Sequence, residues 1–172
     1  MNEMKRLSTR KFILHILLTA CLLSGIIITA NTPARPLWAT GGQVTDLAIY
    51  DDALAAAWEN WSWDTTPNFA NTTPVHTGSH SIAVTYAKAN AGLSLRAPLP
   101  IDPAGFSAIE FWVYGGAGGS QLSFATQATD DDGLSTMVNV NAPAGAWTRF
   151  RVSLSALGNP TELARFNWQG AT

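Results

Sequence analysis

The sequence has little cysteine and little charge, and both shortages limit what the protein can be. Its 172 residues include one cysteine, Cys21, so residues 22–172 can form neither a disulfide nor a thiolate metal site. Charged residues make up 13% of the chain, roughly half the share that is usual in soluble domains. A domain formed by this chain must therefore be stabilised mainly by the packing of its side chains.

Basic residues are especially scarce beyond the N-terminus. Four of the ten basic residues, but only one of the twelve acidic residues, precede residue 31. Residues 31–172 therefore carry six basic and eleven acidic side chains, and these basic residues form no cluster. Because binding to a phosphate backbone depends on such clusters, the composition argues against nucleic acid as a partner.

Sequence motifs of the common enzyme classes are also missing. The chain has no His-Glu-x-x-His pair, no serine nucleophile elbow and no phosphate-binding Gly-Lys motif. A glycosidase needs two facing carboxylates, and the glutamates beyond the N-terminus are Glu59, Glu110 and Glu162. Beyond residue 30, His76 and His80 have no third histidine or cysteine to complete a metal site. We therefore expect no catalytic residues and no metal ligands.

The one long apolar run lies at the N-terminus, from Phe12 to Ala30, directly after four basic residues. This order of charge and then apolar residues is typical of a signal peptide, and Ala30 followed closely by Pro33 favours cleavage there. We predict a signal peptide at residues 1–30, a linker at 31–43, and a secreted domain at 44–172.

Two other interpretations of the N-terminus stay open. The apolar run is long enough to span a bilayer as an uncleaved anchor. In addition, Leu18-Thr19-Ala20-Cys21 resembles the lipobox of bacterial lipoproteins, in which the cysteine carries a lipid. The predicted contact with a membrane is therefore limited to the signal segment or to a lipid on Cys21.

Residues 44–172 show short segments rich in β-branched and aromatic residues, separated by turn-forming residues. This spacing predicts an all-β sandwich. One or two helical turns are expected over Asp52 to Glu59, with Asp51 or Asp52 capping the start. The predicted strands are Ala48 to Tyr50, Glu59 to Thr65, His80 to Tyr86, Gly92 to Arg96, Ala108 to Tyr114, Gln121 to Gln127, Ser135 to Asn141, Thr148 to Leu154 and Leu163 to Trp168.

Several motifs, in their order along the chain, resemble those of a known family. They are Ile49-Tyr50-Asp51-Asp52, Trp58 with Trp61-Ser62-Trp63, residues 76–84, residues 106–116 and residues 147–154. Together they resemble the galactose-binding-like β-sandwich, or jelly roll, of carbohydrate-binding modules in secreted glycoside hydrolases and related surface proteins. The resemblance implies a jelly roll of about eight to nine antiparallel strands that binds polysaccharide without catalysis.

The sequence departs from that family at its end. Such modules close with a strand that carries an aromatic-Asp-Asp-Ile segment and pairs beside the first strand, and no such segment follows Trp168. We therefore expect a C-terminally truncated domain. The usual C-terminal ligands of the family's structural calcium are absent too, and Asp51 and Asp52 alone cannot supply six to eight oxygens. No cofactor is predicted.

Aromatic and planar polar side chains are the predicted binding residues. A sugar ring stacks its C–H face on an indole, while its hydroxyls bond to amide and guanidinium groups. Strand alternation puts Ile109, Phe111 and Val113 on one face of their strand and Trp112 and Tyr114 on the other. The predicted sugar-binding residues are Trp61, Trp63, Trp112, Tyr114, Gln121 and Arg149.

The sequence thus predicts a secreted, monomeric, non-catalytic module that holds an attached domain near a polysaccharide. Two alternatives remain at this stage. The first is a structural or adhesion domain whose aromatic residues all belong to the core, because tryptophan is well buried on average. The second is a fragment of a glycoside hydrolase. An exposed tryptophan pair would count against the first alternative.

Overall fold

The computed structural model describes residues 11–20, as a backbone strand, and residues 46–170. The predicted cleavage site near Ala30, Cys21 and the linker at 31–43 lie outside these residues. The described residues form an all-β structure of twelve strands. These are β1 (Lys11–Ala20), β2 (Leu47–Asp51), β3 (Ala53–Leu54), β4 (Glu59–Asn60), β5 (Thr65–Asn71), β6 (Ser81–Tyr86), β7 (Gly92–Ile101), β8 (Phe106–Tyr114), β9 (Ser120–Gln127), β10 (Val138–Ala142), β11 (Trp147–Ser153) and β12 (Leu163–Gly170).

The strands form two antiparallel sheets. The five-stranded sheet has the order β10-β9-β12-β7-β4. The seven-stranded sheet has the path β11-β8-β1-β2-β3, and β6 joins it through β1 and carries β5 at its outer edge. All strand pairs are antiparallel, as expected of a β-sandwich.

The core lies between the two sheets and is built from alternate residues of each strand. Phe111 of the seven-stranded sheet packs against Phe124 and Trp168 of the five-stranded sheet, with ring centroids 5.0 and 5.4 Å apart. All three side chains are fully buried. The Tyr86 hydroxyl adds a polar link, because it donates to the carbonyl oxygen of Trp168 across the sandwich at 2.8 Å.

Part of the predicted signal segment forms β1 at the centre of the seven-stranded sheet. One edge of β1 pairs with β8, and the other edge pairs first with β6 and then with β2. β1 therefore lies beside β2, the first strand of the predicted domain. Within residues 11–20 and 46–170, no helix has the length and apolar character needed to cross a membrane.

Three features differ from the predictions. The predicted strand from Glu59 to Thr65 is divided, because Glu59 and Asn60 form β4 of the five-stranded sheet whereas Thr65 begins β5 of the seven-stranded sheet. The expected helical turns over 52–59 are wrong, because Asp52 adopts a positive φ of 58° in a hairpin between β2 and β3. Its carboxylate accepts the backbone N–H groups of Ser79 and His80 instead of capping a helix. Strand β5 was not among the predicted strands, and it contains Pro67. Proline is tolerated there because β5 pairs only with β6 and forms an edge.

Candidate functional site

The six predicted binding residues lie on opposite outer faces of the sandwich. We call the outer side of the five-stranded sheet the Trp61 face; of the predicted residues it carries Trp61, Trp63 and Gln121. We call the outer side of the seven-stranded sheet the Trp112 face; it carries Trp112, Tyr114 and Arg149. The core separates the two groups, so the six side chains cannot contact one ligand ring together.

Residues 59–63 bring both tryptophans of the Trp61 face beside β7. β4 pairs with β7, and the same register continues through a hydrogen bond from Trp61 N to Ser94 O and a bridge between Trp63 and Gly92. Directly paired residues in antiparallel strands point to the same side of a sheet. The Trp63 ring lies against Gly92, where a Cβ would collide with it.

The strand register aligns the outward residues of this face into three rows across the sheet. The first row consists of Glu59, Arg96, Arg165 and Gln127. The second row consists of Trp61, Ser94, Asn167 and Ala125. The third row consists of Trp63, Gly92, Gln169 and Ser123. The first row therefore carries long charged or polar side chains, whereas the second and third rows each combine one tryptophan with mostly short side chains.

Trp61 is the most accessible aromatic side chain of the described residues, with 40% of its surface exposed. Its indole Nε1 donates to a carboxylate oxygen of Glu59 at 2.7 Å. The guanidinium carbons of Arg96 and Arg165 lie 4.6 and 5.2 Å from the centre of its ring, within the range of cation–π contacts. These contacts orient the indole while leaving much of it accessible to solvent.

Arg96 is paired with acidic side chains. Its Nε lies 2.9 Å from both carboxylate oxygens of Asp130, and its Nη1 lies 3.4 Å from Glu59. The hydrogen bond from Arg96 holds the pKa of the Asp130 carboxyl below its ordinary value, although partial desolvation acts in the opposite direction. The positive charge of Arg96 is therefore balanced within the protein.

Arg165 is paired differently. Among the described residues its guanidinium hydrogen-bonds only to the Ser94 hydroxyl, through Nε at 3.3 Å and Nη2 at 3.1 Å. Burial lowers the pKa of Arg165, and the nearby charge of Asp130 counteracts this without a direct ion pair. Because a guanidinium has five N–H groups, Arg165 keeps donors that can bond to a ligand.

Asn167 supplies a hydrogen-bond acceptor in the middle row. Its side chain is 1% exposed, and its Nδ2 donates to Gln127 Oε1 at 3.2 Å. Its Oδ1 has no partner among the described residues. An unmatched buried acceptor is costly unless water or a ligand hydroxyl donates to it.

On the Trp112 face the aromatic side chains contact one another. The His76 ring, from the loop after β5, stacks on Trp112 with a centroid distance of 3.9 Å and an angle of 22° between the planes. The same imidazole meets the Trp147 ring edge-on at 5.4 Å, and Tyr114 lies 5.5 Å from Trp147. One side of the Trp112 indole is therefore covered by the protein itself.

Arg149 on that face is paired with a largely buried carboxylate. Its Nη2 lies 2.7 Å from Oε2 of Glu110, which is 8% exposed. Arg151 approaches the same oxygen at 3.7 Å. Arg149 therefore stabilises a charge that belongs to the fold, and fewer of its donors are left for a sugar.

Sequence reasoning missed Arg96, Arg165, Asn167 and His76. In the sequence, the first three could have been recognised as polar residues that alternate with core residues along a strand. Arg96 follows Leu95, while Arg165 and Asn167 flank Phe166. The position of His76 on Trp112 depends on a loop conformation that strand periodicity does not describe.

The described residues contain no group of three or more histidine, cysteine or acidic side chains suited to hold a metal ion. No known family model matches the chain, and no curated protein is significantly similar to it.

Proposed function

We propose that the protein is exported, that residues 1–30 are removed as a signal peptide, and that the remaining β-sandwich binds carbohydrate without turning it over. The proposed binding surface is the Trp61 face. There the protein would hold an attached domain near a polysaccharide. We also propose that this β-sandwich has the topology of a galactose-binding-like jelly roll.

The main support is an accessible, oriented indole that lies beside polar side chains of the same sheet face. Trp61 is 40% exposed and is fixed by a hydrogen bond and two cation–π contacts. A side chain that is already ordered loses little conformational entropy when a ligand stacks on it. Trp112 supports the proposal less, because His76 already covers one side of its ring.

The neighbouring polar groups suit hydroxyl ligands. Arg165 has unused donors, and the buried Asn167 Oδ1 is an acceptor that a bridging water can connect to a ligand. A sugar hydroxyl can both donate and accept, so one class of ligand satisfies both needs. Gln121 and Ser123 continue the polar surface along β9. We expect micromolar to millimolar affinity, because such bonds replace bonds to water.

Retention on insoluble glucan, chitin, xylan and mannan tests this proposal. The chain should be retained on at least one polymer, and Trp61→Ala should remove that retention while the protein stays folded. Failure of the folded wild-type chain on every polymer would instead favour a structural or adhesion domain.

A further inference from the structure

The charged side chains on the Trp61 face are paired unevenly. The carboxylates of Asp130 and Glu59 both form their ion pairs with Arg96, at 2.8 and 3.4 Å. Arg165 lies in the first row beside Arg96 and forms no ion pair with any of the described residues. Two acidic groups therefore share one arginine, while the second arginine of the row is left without a direct counterion among the described residues.

The hydrogen bonds of Arg165 leave its terminal nitrogens available. Its Nε and one hydrogen of Nη2 are used by the Ser94 hydroxyl, at 3.3 and 3.1 Å. A guanidinium has five N–H groups, so both hydrogens of Nη1 and one of Nη2 remain. One hydrogen on each terminal nitrogen makes the fork that binds the two oxygens of a carboxylate in parallel. Arg165 therefore keeps a complete carboxylate-binding edge.

The surroundings of Arg165 favour an anionic partner. Burial lowers its pKa, because the fold solvates the charged guanidinium less well than water does. The charge of Asp130 opposes this effect through space, and the charge of Arg96 adds to it. The Asp130 carboxylate is itself bound by Arg96. A carboxylate that bonds directly to Arg165 would offset the cost of burying its charge.

The guanidinium also lies beside the surface on which a sugar would stack. Its central carbon is 5.2 Å from the centre of the Trp61 ring. A uronic acid carries its carboxylate directly on a ring carbon, so the group projects from the edge of the sugar ring. When such a ring stacks on Trp61, a carboxylate at its edge can reach the fork of Arg165. A hydroxymethyl group at the same position has one oxygen and cannot fill both places of the fork.

We infer that the Trp61 face prefers an acidic polysaccharide, in which a uronic acid stacks on Trp61 and places its carboxylate on Arg165. The inference rests on the proposed sugar binding and adds a substrate class to it. A neutral sugar keeps the stacking contact but lacks the ionic one, so it is the weaker ligand of the same surface.

Polymers that differ only in their carboxyl groups test this inference. Glucuronoxylan and polygalacturonate are each compared with the same polymer after reduction of its carboxyl groups to hydroxymethyl groups. Calorimetric titration of the chain should show about three- to tenfold tighter binding to the carboxylated member of at least one pair at low salt. The difference should shrink as salt is added, because screening weakens the ionic contact.

Three variants assign the preference to one side chain. Arg165→Gln should remove the difference between the carboxylated and reduced polymers. Arg165→Lys keeps the charge without the planar fork, so it should keep only part of the difference. Arg151→Gln is the matched control, since it removes the same charge from the Trp112 face, and it should leave the difference unchanged. Thermal unfolding confirms that each variant is folded.

Three results would overturn the inference. The first is equal binding of the carboxylated and reduced polymers, and if Trp61→Ala abolishes both, the proposed sugar binding still stands. The second is an equal loss of preference in Arg165→Gln and Arg151→Gln, which would indicate general attraction to polyanions. The third is tighter binding of a sulfated galactan than of polygalacturonate, which would assign the site to sulfate esters. Failure of the folded chain on every neutral and acidic polymer would contradict the proposed function as well.

Discussion

The two outer faces of the sandwich both combine tryptophan with arginine, but they use these side chains differently. On the Trp112 face, His76 stacks on the indole and Arg149 is paired with Glu110. On the Trp61 face, the indole is 40% exposed and Arg165 bonds only to a serine among the described residues. The first arrangement satisfies its groups within the fold, whereas the second leaves groups that a ligand can satisfy.

The largest expected effect is the loss of polymer retention when Trp61 is replaced, compared with the replacement of Trp112. Trp61→Ala should reduce retention on the bound polymer by about tenfold or more, because it removes a stacking surface that contributes about 2 kcal/mol. Its thermal midpoint should fall only modestly, since 40% of the Trp61 surface is already exposed in the folded protein. Depletion isotherms on the insoluble polymer measure the first effect, and thermal unfolding measures the second.

Trp112→Ala is the matched control for that comparison. It removes the stacking partner of His76, so we expect a lower thermal midpoint and unchanged polymer retention. If Trp112→Ala removes retention and a folded Trp61→Ala keeps it, the assignment of the two faces is reversed.

The ion pair of the Trp112 face gives the next effect. Arg149→Ala leaves Glu110, which is 8% exposed, without its 2.7 Å partner and should lower the free energy of unfolding more than the loss of Arg151 does. Arg151→Ala serves as the control, because its 3.7 Å contact is longer, and should cost about 0.5 kcal/mol or less. Urea unfolding at neutral pH measures both, and equal losses would contradict the assigned roles.

The alternation of residues along single strands could be predicted from the sequence. The pattern around Phe111 correctly separates core side chains from the outward Trp112 and Tyr114, and the spacing of Trp61 and Trp63 correctly places them on one face. Alternation cannot tell which strands become neighbours. The grouping of Arg96, Arg165 and Asn167 arises from the pairing of β7 with β12, more than sixty residues apart, and no local pattern records it.

Turns and the N-terminal segment were harder to predict for a different physical reason. Aspartate is a residue type that often caps helices, but the Asp52 carboxylate accepts hydrogen bonds from the backbone N–H groups of Ser79 and His80 in a distant loop. Residues 11–20 have the apolar character that suits both a signal peptide and a central strand, because both environments exclude water. Local sequence does not distinguish these uses, and tertiary contacts decide them.

Acid should affect the Trp61 face through Asp130. The pKa of its carboxyl is lowered in the folded state by the hydrogen bond from Arg96, so the stabilisation is present above the ordinary value of 3.8 and is lost as pH falls below it. We expect retention to be steady near neutral pH and to decline below about pH 4 as Arg96 loses its partner.

Asp130→Asn and Arg96→Gln test the source of this acid sensitivity. Each should make the decline at acid pH shallower, and the double variant should add little, because both changes remove the same interaction. Thermal midpoints and polymer retention measured from pH 3 to 7 give the profiles. Additive effects of the two changes would show that the decline has another origin.

The smallest change in stability is expected at Asn167. Asn167→Leu removes the hydrogen bond to Gln127 Oε1, which costs about 1 kcal/mol, but it also removes the buried Oδ1 that has no described partner. These two effects oppose each other, so unfolding should change by about 0.5 kcal/mol or less, while retention should fall a few-fold through loss of the acceptor. Gln127→Leu is the control, because it removes the same hydrogen bond and leaves Oδ1 in place. If Asn167→Leu destabilises the protein more than Gln127→Leu and retention is unchanged, Oδ1 contributes to the fold through ordered water and not to the ligand.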